Sequence, residues 1–410
     1  MRNSKTLLAA ALCVLGGLAA CPRAVALDEV ALIISQNLYS ACQTKIVQYK
    51  ADVEARFPVH LTIHNEADFQ AYTPQQMRSY IQSLYTTQGI KGVVLAGQIK
   101  NAYWKNYAPG ADDKGINSFY YEDLDGTFTD TNADGYDDLH DWGTHVGPEI
   151  WCSWMRPPAN DQVNALNAFL DKAHSYYTGG IIFNHGALVA AHRDYDGNIR
   201  DGFMMVDRLA ALYGNSNVDI DGEGADMAYA WDQISLLNAN RYEIYDPMSH
   251  AGSNVQCWDA GTNVYSSDVK NLTGGAIMTF IYGCSSAAWH IAPSDNIAQA
   301  YVFGNSIGQA ASGTSWSYGT EGKWYIYEEL GRGGYLGNAW MNMEIIKNTP
   351  QYMRDRYGQD FDANRHLWGD TLIGNPFVYA NYDPIPEPAS IFALLIPGAG
   401  TGLLLLRRRN

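Results

Sequence analysis

The sequence is short of several things. It has little basic charge: 27 Lys and Arg stand against 43 Asp and Glu, a net charge of −16. That excludes a nucleic-acid partner, which needs a basic surface against phosphate. Only 17% of the residues are charged while 47% are hydrophobic, a balance that excludes wholesale disorder. Cysteine is scarce, with six in 410 residues. Cys13 and Cys21 lie near the N-terminus, which leaves Cys42, Cys152, Cys257 and Cys284 for the body. Four thiols exclude a disulfide scaffold, although one pair has room to bridge. No internal repeat or low-complexity linker precedes Asp383, which excludes a solenoid or a beaded array.

Long apolar runs occur only at the two ends. Arg2 and Lys5 precede the run Leu7–Ala20, and Ala24-Val25-Ala26 supplies a small-residue cleavage site, so residues 1–26 read as a secretory signal peptide. Leu18-Ala19-Ala20-Cys21 also resembles a lipoprotein signal, which leaves lipidation at Cys21 open. At the other end Pro386-Glu387-Pro388 leads into the 18-residue apolar run Ala389–Leu406 and then Arg407-Arg408-Arg409. Such a run is long enough to span a bilayer, and the arginines place its C-terminus in the cytoplasm. Residues 384–410 resemble a PEP-CTERM sorting signal. The resemblance implies recognition by an exosortase, removal of the tail, and release toward the surface of a Gram-negative cell. Loss of both ends takes away six basic residues and one acid and deepens the net charge to −21. The membrane is then met only through the removable tail.

The body alternates strand and helix. Apolar runs at Val30–Ser35, Val59–His64, Gly92–Gly97, Ala187–Ala191, Tyr242–Pro247, Ala276–Tyr282 and Ile307–Gly313 read as strands. Ser40–Arg56, Thr73–Thr87, Asp161–Tyr177, Phe203–Tyr213, Ala230–Asn238, Ser266–Leu272, Asn296–Phe303, Lys323–Glu329 and Leu336–Asn348 read as helices. Thr73-Pro74-Gln75-Gln76 carries a cap, an N1 proline and a capping box in four residues. The order predicts an α/β fold, a three-layer α/β/α sandwich with a mostly parallel sheet. Two subdomains are expected, 27–180 and 181–383, with a long polar loop over Gln98–Gly147.

Chemistry in such folds sits past the carboxyl ends of strands. Two reactive side chains occupy such places: His250 in Ser249-His250-Ala251-Gly252-Ser253 and Cys284 in Tyr282-Gly283-Cys284-Ser285, 34 residues apart. If their strands are parallel neighbours, both project from one edge. A histidine beside a thiol takes its proton and makes the nucleophile. The N–H of Cys284 with one near Ala251 or Gly252 would bind an oxyanion. Cys257 is a rival nucleophile and His290 a rival base. A structural cysteine and histidine would look the same from spacing alone.

Residues Tyr242–Thr314 resemble the core of the gingipain-like cysteine peptidases, in the clan that includes caspases and clostripain. His250, Ser253 and Trp258 match its Gly-His-Gly-Ser segment and the Trp a few residues on. Ser267-Asp268-Val269 and Leu272 match its helix start, and Ala276–Cys284 its second apolar strand. Ile297-Ala298-Gln299-Ala300, Gly308 and Ala310-Ala311 match the helix and the Ala-Ala strand that come after the cysteine in the family. Ile90–Gly97, Tyr121–Gly126, Pro148-Glu149-Ile150-Trp151 and Trp368-Gly369-Asp370 with Leu372 extend the match over about Val30–Asn381. The chain departs from the pattern at three residues and in the segment Ser285–His290 after the cysteine, which lacks the usual Gly-Asp/Phe character. Ser249 and Ala251 replace glycines beside the histidine, and Gly283 replaces the alanine before the cysteine. The resemblance implies a caspase/gingipain-like fold, Cys284 as nucleophile, His250 as acid and base, and an acidic residue that orients the histidine, matched here by Asp194.

Asp130-Thr131-Asn132-Ala133-Asp134-Gly135-Tyr136-Asp137-Asp138 has oxygen side chains at positions 1, 3 and 5, Gly at 6 and Asp141 at 12. This is what a calcium loop requires, with Asp130, Asn132, Asp134, Tyr136 (through its carbonyl), Asp138 and Asp141 as ligands and a structural role for the ion. The expected protein is an exported cysteine endopeptidase acting on protein or peptide substrates. A sorting or processing transpeptidase and a catalytically silent calcium-binding surface protein are the alternatives.

Overall fold

The computed structural model describes residues 27–105, 114–195, 205–224, 226–316, 319–320, 322–347, 349 and 368–380. The expected signal peptide and sorting tail lie outside the described residues. Within them, no helix is long and apolar enough to cross a membrane.

One sheet of ten strands organises the chain. We number them in chain order: β1 Asp28–Ile34, β2 Val59–His64, β3 Gly92–Ala96, β4 Trp151–Met155, β5 His185–Ala191, β6 Val218–Asp221, β7 Arg241–Met248, β8 Gly275–Phe280, β9 Ala310–Thr314 and β10 Asp370–Gly374. Their order across the sheet is β6-β5-β7-β8-β9-β10-β4-β3-β1-β2. β7 runs parallel to β5 and β8, β8 parallel to β9, and β3 parallel to β1 and β4. β10 pairs antiparallel with β9, Ala310 facing Gly374 and Thr314 facing Asp370. The sheet runs unbroken past residue 180, and a strand from the far end of the sequence joins its two halves.

The helices are α1 Gln36–Arg56, α2 Pro74–Gln88, α3 Gln162–Tyr177, α4 Met205–Tyr213, α5 Ala230–Ala239, α6 Ser266–Lys270, α7 Ile297–Phe303, α8 Lys323–Gly331 and α9 Leu336–Lys347. α1, α3 and α7 pack in a row, and α4, α8 and α9 form another. β7 shows that they lie on opposite faces, because consecutive strand residues point to opposite sides. Tyr245 meets Tyr301 of α7, while Asp246 meets Lys323 and Tyr327 of α8. This is the expected three-layer α/β/α sandwich. The capping box of α2 forms as its sequence predicts: Thr73 Oγ1 accepts from Gln76 N at 3.2 Å, and Thr73 N donates to Gln76 Oε1 at 2.8 Å.

β4, β6 and β10 are strands that the sequence pattern does not announce. All three are short, and β6 carries the acids Asp219 and Asp221 within its four residues. The segment expected to be one long loop holds structure: hairpins of Tyr103–Lys105 with Lys114–Ile116 and of Thr127–Thr129 with Leu139–Asp141, and a helical turn at Phe119–Tyr121. It is tied down by an aromatic cluster in which Trp104 meets Trp316 and Trp368 edge-on at 5.1 and 5.8 Å. The strand expected from Ile307 begins at Ala310.

One buried ammonium ties two strands together. Lys323, with its side chain 2% exposed, bonds the Asp246 carboxylate on β7 and the carbonyl of Phe280 at the end of β8, the latter at 2.9 Å. Burial lowers the Lys323 pKa and the Asp246 charge opposes that shift. Removing one partner of a buried pair strands the other charge, at a cost of about 3–5 kcal/mol. Lys323→Met is therefore expected to lower the stability read in urea unfolding by about that amount. Adding Asp246→Leu should recover part of it; a double variant no more stable than the single one would contradict this reading.

Candidate active site

β7 and β8 are parallel neighbours, Tyr242 beside Ala276 and Tyr245 beside Thr279. Beyond the ladder, Met248 still bridges Tyr282, and Ser249 N donates to the Tyr282 carbonyl at 3.0 Å. The two strands thus leave the sheet together, two residues before His250 and Cys284. The residue after the thiol, Ser285, has φ +54°, a conformation that non-glycine residues seldom adopt. It is held there because its N–H donates to the Trp316 carbonyl at 2.5 Å and the Ala287 N–H to the Thr314 carbonyl at 2.9 Å. A turn pinned on β9 therefore presents Cys284.

The departures around the pair explain one another. A Cβ built on Gly283 would lie 2.7 Å from the Ala251 methyl and 2.8 Å from the Ser249 carbonyl. One methyl fits between the two strands and a second does not. The methyl that the gingipain-like pattern carries before the cysteine sits after the histidine in this chain. Ala251 and Gly252 belong to a short strand, His250–Gly252, paired with Val255–Cys257.

Asp194 lies past the end of β5, beside the histidine. Its Oδ2 meets His250 Nε2 at 2.9 Å, and this bond holds the exposed Asp194 carboxyl below the usual aspartate range. The other imidazole nitrogen, Nδ1, meets the Tyr195 hydroxyl at 3.1 Å. Burial, reinforced by nearby Cys284 and Asp194, pushes the Tyr195 phenol up to about 12. Tyr195 thus stands in the field of the Cys284 sulfur and touches the histidine as well. Behind Asp194, His192 Nδ1 lies 3.5 Å from Asp194 Oδ2, and its Nε2 lies 3.3 Å from buried Asp259 Oδ1. His192, Tyr195 and Asp259 are members of the site that sequence reasoning misses. Their one signal is the density of polar residues in His192-Arg193-Asp194-Tyr195 immediately after an apolar strand.

Cys257 faces His250 across the short hairpin, but burial raises its thiol pKa and disfavours the thiolate. His290 packs edge-on against Tyr103 at 5.8 Å, and burial, then the Lys114 charge, lowers its pKa. No disulfide forms among the described residues: Cys42, Cys152, Cys257 and Cys284 all keep their thiols.

In the calcium-type loop Asp130 accepts from Asp134 N and Gly135 N, Asn132 from Asp134 N, and Asp134 from Tyr136 N. These three side chains therefore turn inward on one loop. Asp138 is taken by Thr131, through both its N–H and its hydroxyl, and Asp141 stands opposite Thr127 in the hairpin whose turn this loop forms. The loop's own N–H groups thus gather Asp130, Asn132 and Asp134, Asp138 is held by Thr131, and Lys105 Nζ lies 3.8 Å from Asp134 Oδ2. Tyr136 meets Tyr103 at 5.9 Å, so the loop reaches the aromatic contact on His290.

The sequence matches no protein-family model and no curated protein. The structure is similar to three solved ones. The complex of the pro- and mature domains of Porphyromonas gingivalis RgpB matches with TM-score 0.57 and 13% identity over 84% of this chain and 78% of that one. The Arg-specific cysteine proteinase gingipain R (RgpB) matches with TM-score 0.57 and 12% identity over 87% and 78%. A third, described as a protease, matches with TM-score 0.62 and 13% identity over 88% and 80%. At such identity the likeness establishes the fold, that of gingipain-type cysteine proteinases.

The methyl exchange predicts a rescue. Gly283→Ala alone should destabilise the site, slow iodoacetamide alkylation of Cys284 and lower the midpoint of thermal unfolding. Gly283→Ala with Ala251→Gly should regain much of both. A double variant no better than the single one would show that the Ser249 carbonyl, not the methyl pair, sets the limit.

Proposed function

We propose that this chain is an exported cysteine endopeptidase that cleaves protein or peptide substrates. The observation that carries the reading is the shared exit of two parallel neighbours, β7 and β8, which brings a histidine bonded to a carboxylate and a thiol to one end of the sheet.

The groups present dictate the steps. Asp194 takes Nε2 of His250, so Nδ1 is the nitrogen left to receive the Cys284 proton. The Tyr195 hydroxyl caps that nitrogen at rest and gives it up when substrate enters. The thiolate adds to the scissile carbonyl, the C–N bond breaks, and imidazolium Nδ1–H protonates the leaving amine. Water, deprotonated by His250, then cleaves the thioester and returns the thiol. Backbone N–H groups of Cys284 and of Ala251 or Gly252 would steady the oxyanion. Asp194 orients the ring and stabilises its charged form.

Calcium in the 130–136 loop would add order beside this site, held by Asp130, Asn132, Asp134 and the Tyr136 carbonyl. The signal peptide, the exosortase-processed tail and a cell-surface or secreted destination complete the proposal.

Two measurements test it. Residues 27–383 should cleave members of a fluorogenic peptide library varied at the residue before the cut. Cys284→Ala should abolish cleavage, and Asp194→Asn should lower kcat about 10²–10⁴-fold. Cleavage that survives Cys284→Ala would sink the reading. For the ion, saturating calcium at about 100 times its Kd should add about 2.7 kcal/mol to stability. Asp130→Ala with Asp134→Ala should abolish that gain; equal unfolding midpoints with calcium and with chelator in the parent chain would refute a calcium site.

A further inference from the structure

Three metal-competent atoms converge where the mechanism uses only two of their owners. One ligand atom from each of His192, Asp194 and His250 lies within 4.8 Å of the other two. Asp194 Oδ2 is 2.9 Å from His250 Nε2 and 3.5 Å from His192 Nδ1. Ligand atoms around a tetrahedral zinc ion, at about 2.0–2.2 Å from the metal, stand about 3.3–3.5 Å apart. The two carboxylate–imidazole distances lie close to that spacing.

The outer partners also suit a metal. His192 Nε2 lies 3.3 Å from the buried carboxylate of Asp259, which is held in turn by the Ala228 N–H at 2.9 Å. His250 Nδ1 meets the Tyr195 hydroxyl at 3.1 Å. Metal-bound histidines commonly have their second nitrogen fixed by a carboxylate or other acceptor, which sets the tautomer and turns the free lone pair to the ion. His192 is held from behind in that way; at His250 the ion would take the place of the Nε2 proton that faces Asp194, and the ring would carry its proton on Nδ1 toward the Tyr195 oxygen.

A repulsion within the cluster points in the same direction. The Asp194 N–H donates to His192 Nδ1 at 3.2 Å, so that nitrogen presents a lone pair and its proton is on the Asp259 side. A carboxylate oxygen at 3.5 Å from a lone pair, with no proton between, is an unfavourable pair. A cation between them removes the repulsion, and on binding it the Asp194 N–H gives up its bond to Nδ1. Two imidazoles and one carboxylate favour zinc-class ions over calcium. Half-exposed His250 and Asp194 leave the site open to solvent, with the fourth position for water.

We propose that His192, Asp194 and His250 form a binding site for a zinc-class divalent cation, and that occupation of the site switches the peptidase off. The ion would take Nε2 of the histidine and the carboxylate that orients it, and an imidazole bound to a metal cannot store the thiol proton as imidazolium. The inhibitory half rests on the proposed peptidase activity; the binding half does not.

The test titrates the metal-free chain with Zn²⁺ by calorimetry and with Co²⁺ by visible absorption, beside the cleavage assay. One zinc should bind, and cobalt should give the intense bands of a four-coordinate nitrogen–oxygen site. His192→Ala should weaken zinc at least about 100-fold, and Asp259→Asn, which frees only the outer partner, about 10-fold. His145→Ala should leave binding unchanged; it removes the imidazole of the other metal-competent group, Asp125, His145 and Glu149. His250→Ala provides a second ligand deletion at a half-exposed position, where folding is not at stake. Zinc binding that survives His192→Ala and His250→Ala, or that fails in the parent, overturns the site. Cleavage that persists at saturating zinc overturns the switch. A chain that cleaves nothing at any zinc level fails as a peptidase, while calorimetry and cobalt spectra still decide the site.

Discussion

Everything at the candidate active site depends on keeping β7 and β8 in register to their very ends, and Lys323 is the group that holds them there. Its ammonium is buried between a carboxylate on one strand and a carbonyl on the other. Tyr327 bonds the second oxygen of the same carboxylate. A charge buried in this way costs several kcal/mol of desolvation, which its partners must offset. In return the helix layer reads the relative position of two strands that each end in a reactive side chain. Hydrophobic contacts alone would tolerate a slip; a two-pronged bond to a buried cation does not. Beyond it, the Ser249–Tyr282 bond and the turn pinned at Ser285 carry that register to the thiol.

The alternation of strands and helices is legible in the sequence because apolar runs of this length and periodicity have few other uses. The capping box at Thr73 and the parallel run at Gly92 form as written. β4, β6 and β10 are hidden for different reasons. β4 mixes two Trp with Cys, Ser and Met behind a polar stretch; β6 has acids at two of its four positions; and β10 has no sequence neighbour to pair with, only β9 and β4, which are remote in the chain. The segment 98–147 looks like loop because its short hairpins contain polar turns. Its order comes from contacts that sequence cannot show, such as Trp104 against Trp316 and Trp368.

At the site, the cysteine and histidine can be named because each comes after an apolar run. Asp194 is reachable through family resemblance alone. His192, Tyr195 and Asp259 stay hidden, since their roles exist only once β5, β7 and the 259 turn are side by side. The same crowding gives one imidazole two neighbours with different claims on it. Asp194 orients it for proton transfer, while His192 offers a second lone pair that a cation can share.

The single methyl between the two reactive strands has a consequence for how such sequences diverge. Positions 251 and 283 share one volume, so a methyl cannot be added at 283 while Ala251 keeps its own. A chain that passes between the arrangement with alanine before the cysteine and the one seen here cannot hold both methyls on the way. It must pass through a form with glycine at both, looser by one methyl's worth of packing, about 1 kcal/mol. Divergence at this site is therefore ordered in time: the methyl is lost on one strand before it is gained on the other.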